Sequence, residues 1–413
     1  MKRTLVALVA VVAAAGVAAG CSSSTGTTNP SAGATDPASA TATQTAQPAA
    51  RGVEAAIGAV PWTQVGPGWL LATWSPAAAT RPGEERPPNE PSPATSTTTL
   101  YLVDPAGGRY PVTTFPPPGE HAPPELVDWS GDGTHALLYT VSANPTATVV
   151  DLRSGAQKTV SVKGFPRFTL PEGKAILVST EPGPDSRPAA LERVDLAGNQ
   201  ELAYPTDKLG SAFNGQYLST PDGTRLVLGT STGLVMMGND GTVGSTLTLP
   251  GQTDCKPVRW WDGGATVLAT CMAGDGSYAT RLWMVPVNGD TPTGLTAANN
   301  GQGGGQDLGD VNAWRLPAGT FVQALGACGF IYLAKLTDDG TTTPVAVPDV
   351  GEGKSVKVIG VDGTALDIQA QTACGGGESL LRYDPAANTS TVLLGPPLNG
   401  GGVSGAVPYA GQE

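Results

Sequence analysis

Five cysteines, two histidines and a scatter of carboxylates are the residues of this 413-residue chain with chemistry to offer. Cys255 and Cys271 lie eight residues to either side of a turn centred on Gly263, so a hairpin there sets them opposite each other. Four cysteines beyond Cys21 admit three connectivities. Cys328 and Cys374 follow the second strand of two neighbouring units in the repeat described below, in equivalent loops, so the expected pairs are Cys255–Cys271 and Cys328–Cys374. Zinc is the competing use, but the chain has no Cys-x-x-Cys pair, and His121 and His135 belong to another unit. The string GTSTG at 229–233 matches a nucleophile elbow around Ser231, yet an elbow needs a helix after its serine and residues 234–237 read as a strand.

His135 follows a turn at the head of an apolar strand and reads as a surface position, whereas His121, beside Glu120 in PPPGEHAPP, is the better candidate for a loop that binds. Glu120, His121, Asp254, Asp307 and Asp310 are therefore the candidate binding residues. The carboxylates among them, with Asp207, are the kind that hold a hard cation such as Ca2+, although none belongs to a 12-residue calcium loop. No catalytic residue and no required cofactor are expected.

The elements that must position these side chains are set by a repeat. One marker is a glycine turn followed by an apolar run: DWSGDGTHALL (128–138), FTLPEGKAILV (168–178), LSTPDGTRLVL (218–228), RWWDGGATVLA (259–269), AWRLPAGTFVQ (313–323) and VIGVDGTALDI (358–368), with a degenerate copy at 64–74. A second marker, beginning at residues 103, 150, 194, 237, 285, 336 and 383, keeps phase with the first at intervals of 43 to 51 residues. Each unit reads strand, turn, strand, loop, strand, turn, strand, the hairpin signal repeated. Seven four-stranded units of this length predict an all-β fold, a single seven-bladed propeller in which each sheet covers its neighbour's face. The blades are expected near 55–115, 116–163, 164–204, 205–250, 251–297, 298–350 and 351–396. Trp129, Trp260, Trp261 and Trp314, at first-strand turns, are expected to pack blades together; only Trp62, Trp69 and Trp74 are positioned to test for an open sugar-binding platform.

Loops between second and third strands, and those between blades, share one face. That face carries the cysteines, the insertion at 75–96 and the glycine-rich stretch 299–310, so it is the face expected to bind. The insertion is read equally well as a solvated, tolerated segment.

At DWSGDGTHALL and LSTPDGTRLVL the sequence resembles the WD40-like repeats of TolB-like propellers, over residues 55–396. Such propellers serve as binding scaffolds and as non-catalytic domains of peptidases, so the resemblance implies architecture more than activity. Residues 1–20 have the plan of a secretory signal, Lys2-Arg3 before an apolar run and small residues at its end. The ending VAAGC resembles the bacterial lipobox, which implies diacylglycerol attachment at Cys21. Residues 21–50, nearly all Ser, Thr, Ala, Gly, Pro and Gln, form an expected disordered tether, a bare spacer or a stalk for O-linked sugar. Residues 51–413 form the propeller. With the composition, the whole resembles a propeller lipoprotein of a high-GC Gram-positive bacterium.

A net charge of −12 argues against nucleic acid and leaves anchoring to the acyl chains. The sequence therefore favours a monomeric, lipid-anchored scaffold on the extracytoplasmic face of the cell membrane. It is expected to bind a protein or envelope component rather than catalyse. The alternative is a cation-dependent, lactonase-like hydrolase with its site in the central funnel.

Overall fold

The computed structural model describes residues 48–410, apart from 81, 82, 84, 87, 120, 184, 300–308, 352, 373–375 and the side chain of 328. The expected signal, Cys21, most of the expected tether, Glu120, Asp307 and the expected Cys328–Cys374 pairing lie outside the described residues. Residues Thr45–Glu413 are one compact unit.

Strands assemble into seven four-stranded sheets in which every pairing is antiparallel. The second blade runs from Glu125–Trp129 to Gln157–Ser161, the third from Phe165–Phe168 to Gln200–Ala203, and the fourth from Phe213–Ser219 to Val243–Thr248. The fifth runs from Gln252–Trp260 to Thr293–Gly294, the sixth from Asn312–Leu316 to Thr342–Pro344, and the seventh from Lys354–Asp362 to Thr389–Leu394. First strands touch between blades one and two, two and three, four and five, and seven and one.

The first blade departs from expectation. Its inner strand is not drawn from residues near 55–65, where a short 3-10 turn, Ile57–Ala59, stands instead. The position is filled from the far end of the chain by Gly402–Pro408, which pairs with Leu70–Ser75. Blade seven does end at Leu394, but the residues after 396, left unassigned by the repeat, close the ring.

Seven hydrophobic clusters hold the molecule together, one at each seam between blades. Leu71, Leu100 and Leu102 of blade one meet Leu126, Trp129 and Leu138 of blade two, for example. Leu380, Leu393 and Leu394 of blade seven meet Leu70, Ala72 and Val403 of blade one. Each fully buried Leu or Val contributes about 1.5–3 kcal/mol, and no blade could bury these faces alone. The first-strand tryptophans do sit at seams: Trp260 Nε1 donates to the Ser219 carbonyl of blade four at 2.7 Å, and Arg259 and Arg315 stack over Trp314 and Trp261.

A polar device runs alongside the hydrophobic one. The fifth residue of the second strand reaches across the seam to a backbone carbonyl of the next blade: Ser179 to Gly215 (2.5 Å), Thr270 to Asp310 (2.7 Å), Gln323 to Val356 (2.5 Å) and Gln369 to Val403 (2.9 Å). Inner strands have no sheet partner on their axial side, so these bonds satisfy carbonyls that burial would otherwise strand. Nothing in the sequence marks these residues, because the residue type varies while the position does not.

The turn markers have a common chemistry. Asp132, Asp222 and Asp339 each accept a hydroxyl from two residues before and the backbone N–H and hydroxyl of a threonine two residues after, at 2.5–3.2 Å. Glycine follows the aspartate because φ must be positive, +69° at Gly223, where a Cβ would also run into the Leu170 carbonyl. These bonds favour the ionised carboxylate, and hold Asp222 and Asp339 at about 2. A folded value below the free aspartate value of about 3.9 means that the stabilisation is present above that value. It is lost as pH falls toward 2. Melting temperature should therefore hold level from pH 7 to about 4 and fall steeply below. Asp222→Asn should flatten that fall, and a profile indifferent to the substitution would show that the turn carboxylate carries no such linkage.

Cys255 and Cys271 form a disulfide across sixteen residues, both fully buried. The first strand of blade five bulges between Thr253 and Lys256, which brings Cys255 opposite Cys271. Asp254 sits in that bulge with φ of +44°.

Candidate functional site: a cleft on the loop face

Antiparallel topology sends the turns between first and second strands, and between third and fourth, to one face. The loops between second and third strands and the connections between blades emerge on the other. On that loop face lies a cleft of about 1380 Å³, over blades two to five. Its walls are the second-to-third-strand loop of blade two, the connection 162–164 into blade three, and the loop 180–190 of blade three; its floor is formed by inner strands of blades three, four and five.

Arg167, Tyr217 and Phe165 give the cleft its character. Arg167, on the inner strand of blade three, donates to the Val127 carbonyl at 2.7 Å and lies 5.5 Å from the centre of the Phe165 ring. Phe165 is 40% exposed and meets Tyr139 edge to face. Tyr217, on the inner strand of blade four, has a buried hydroxyl with no hydrogen-bond partner. Burial pushes that phenol well above its usual value, and Arg167 opposes the shift. Lys357, on the inner strand of blade seven, is exposed. Desolvation lowers its ammonium pKa; Glu125 of blade two works against the shift and Arg167 adds to it. Arg167 is thus the common neighbour of a phenol on blade four and an ammonium on blade seven.

The loop 180–190 is an ordered turn, with Gly183 N–H donating to the Arg187 carbonyl at 2.8 Å and Arg187 paired with Asp185 at 2.9 Å. Its sequence, EPGPDSRP, carries the proline, glycine and aspartate punctuation of a loop. That signal is shorter than the insertion at 75–96 and less marked than the glycines of 299–310.

The described candidate residues do not converge. His121 is exposed, with its backbone N–H on the Pro118 carbonyl. Asp254 accepts from Asn214 at 3.0 Å and pairs with Lys256 at 3.6 Å, which fastens blade five to blade four. Asp310 accepts from Thr280 at 2.7 Å and Asn299 at 3.1 Å, tying the start of blade six to blade five. Both aspartates are fasteners between blades. Among the described residues no three His, Cys, Asp or Glu side chains gather as a cation site would require.

Ser231 lies in a hairpin that continues into the strand Gly233–Gly238, with no helix after it. His135 opens the strand His135–Thr140 and bonds Thr134. Trp69 is buried against Tyr110, Trp74 donates to the Gly400 carbonyl and Trp62 carries the Arg153 guanidinium, so these three form no open platform. In the insertion, Arg86 gathers the chain by donating to the Ala78 and Pro91 carbonyls.

No family model matches the chain, and no curated protein matches it by sequence. Among solved structures it is similar to TolB from Acinetobacter baumannii, at 15% identity over 67% of this chain and 64% of that one, with a TM-score of 0.43. It is also similar to the β-propeller domain of the Trilobed protease from Pyrococcus furiosus, at 11% identity over 79% and 94%, with a TM-score of 0.47. A third similar structure belongs to a study of two prolyl endopeptidases, at 13% identity over 77% and 49%, with a TM-score of 0.50. The chain thus spans less than two thirds of that TolB and about half of the prolyl endopeptidase. At these identities the likeness is one of fold alone, and the fold is the one its seven sheets describe: a seven-bladed β-propeller closed by its C-terminal strand.

Proposed function

We propose that this propeller is a non-catalytic binding scaffold, held to the extracytoplasmic face of the cell membrane by lipid on Cys21, with the loop-face cleft as its binding surface. The observation that carries the reading is the cleft itself. A cavity of about 1380 Å³ sits over rigid inner strands, on the face where the loops emerge. Its volume exceeds the roughly 300–1,000 Å³ of small-molecule sites, which favours part of a larger partner.

The anchor is tested with the full chain. Cys21→Ser should move the protein from the membrane fraction to the medium and remove the mass of the acyl chains. A variant that stays membrane-bound at unchanged mass would contradict the anchor. Affinity capture with the anchored wild type should recover the same envelope component across growth conditions, and recovery of none would count against the scaffold.

A further inference from the structure

The charges around the cleft cancel, and the groups they leave uncommitted are neutral. Arg187 is paired with Asp185 at 2.9 Å, and Arg167 donates to the Val127 carbonyl at 2.7 Å. Glu181 accepts from the Gln216 amide at 3.4 Å and stands in the lining against Lys163. On the floor, Arg167 and Asp128 act on Tyr217 with opposite signs. A ligand with net charge would meet no opposite excess here, and would give up its hydration without return. The uncommitted groups are the amide of Asn144 and the hydroxyls of Tyr139, Ser161 and Tyr217, none of which makes a side-chain hydrogen bond among the described residues. Tyr217 Oη is in addition shut off from water, so nothing satisfies it in the empty protein. An unmet buried hydroxyl costs stability, and stability given up at a cavity is a mark of a binding site.

These groups share one chemistry. Amides and hydroxyls both donate and accept, and the ligand groups that do both in return are hydroxyls. Tyr139 and Asn144 flank the second-to-third-strand loop of blade two, Ser161 ends the outer strand of that blade opposite Thr146, and Phe165 opens blade three, so the four residues form one wall. Along that wall Phe165 is 40% exposed and meets Tyr139 edge to face, with 5.5 Å between ring centres. An aromatic corner beside neutral groups that donate and accept suits a sugar ring, which has an apolar C–H face and a hydroxyl edge. The cleft volume of about 1380 Å³ exceeds that of ordinary small-molecule sites, which favours a chain of sugars over a single one. Resting on the reading of the cleft as a binding surface, we propose that it takes an uncharged oligosaccharide, a stretch of an envelope glycan. Its rings lie against the exposed part of Phe165 and against Tyr139. Its hydroxyls bond Asn144 and Ser161 along the wall, and one oxygen accepts from Tyr217 Oη on the floor.

The test is calorimetric titration of the full chain with maltohexaose, xylohexaose and chitohexaose. Hexagalacturonic acid and the chitosan hexamer serve as anionic and cationic sugars, and end-capped hexaproline as an uncharged peptide. Saturable binding of at least one uncharged sugar is expected, with weaker binding of both charged ones. Tyr217→Phe should weaken the bound sugar about fivefold, the size of one neutral hydrogen bond. Its melting temperature should be equal or higher, because the variant removes a hydroxyl that nothing in the protein satisfies. Phe165→Leu keeps apolar bulk without a ring; it should also weaken the sugar about fivefold at an unchanged melting temperature. Binding of none of the uncharged sugars, or tighter binding of either charged one, would overturn the proposal. Hexaproline binding as tightly as the best sugar would overturn it in favour of a peptide, and so would a sugar affinity that both variants leave untouched, in favour of a site elsewhere. Failure here is separable from failure of the scaffold reading, because a partner captured through the cleft by other chemistry leaves that reading standing.

Discussion

Deleting residues 402–413 is expected to leave no soluble folded monomer. The strand Gly402–Pro408 is the inner strand of blade one, and its removal bares the edge of Leu70–Ser75 and opens the seam with blade seven. Val403 is fully buried, as are Leu70 and Ala72 beside it. Gln369 loses the Val403 carbonyl, and Thr73 loses Ser404 and the Gly405 carbonyl. Beyond the strand, Tyr409 packs edge to face on Trp129 at 5.1 Å and its backbone N–H reaches the Trp69 carbonyl. At about 1.5–3 kcal/mol for each large buried apolar side chain, the loss is several kcal/mol before hydrogen bonds, against a total stability of about 5–15 kcal/mol. An exposed apolar strand edge then invites pairing between chains. The full chain is the control. A 402–413 deletion that elutes as a monomer and melts cooperatively near the parent temperature would show that the ring does not depend on its closing strand.

Arg382→Met should cost about 3–5 kcal/mol, the usual consequence of removing one partner from a buried ion pair. Asp367 has no exposed surface, and Arg382 meets both its carboxylate oxygens at 2.8 and 3.3 Å. The same guanidinium bonds Asp362 at 2.8 Å and the Gly68 carbonyl at 3.0 Å, so it ties blade seven to the segment entering blade one. Burial already pushes the Asp367 carboxyl upward, and Arg382 is the chief force against that shift. Without Arg382 the carboxyl rises further. A carboxyl whose folded pKa lies above its unfolded one favours the fold at low pH, and that advantage is lost as pH rises through the folded pKa. The deficit of the variant should therefore be larger at pH 8 than at pH 5. Asp367→Leu combined with Arg382→Met should recover much of the loss, since a well-packed apolar pair often matches a buried ion pair. Denaturant unfolding of the two single variants and the double variant measures the coupling. A single variant within about 0.5 kcal/mol of the parent, the range of an ordinary surface change, would contradict the account.

Much of the propeller was legible because its repeat is written in turn chemistry. Asp132, Asp222 and Asp339 need a hydroxyl before and a threonine after, and the glycine beside each needs positive φ, so the spelling survives where strand residues vary. Cys255 and Cys271 could be paired because a hairpin makes distance along the chain into distance in space. The closing strand, GVSGAVP, lacks any such mark: it has no turn, its residues are small, and its partner is more than 300 residues away. The candidate site was less legible still. Asp254 and Asp310 are acids on the expected face, yet each is spent on a seam. Arg167, Tyr217 and Lys357 look like ordinary strand residues, and only the circular arrangement of the blades brings the charge of Arg167 to bear on the other two.

The most direct test of the central claim places a photo-crosslinking amino acid at single positions of the full chain in living cells. Ala143 and Phe165 sample the cleft, and Gly289 and Asp384 sample turns on the opposite face. The account predicts a discrete adduct of higher mass from Ala143 and Phe165 and none from Gly289 and Asp384. Adducts from the turn face alone, or from both faces equally, would contradict it.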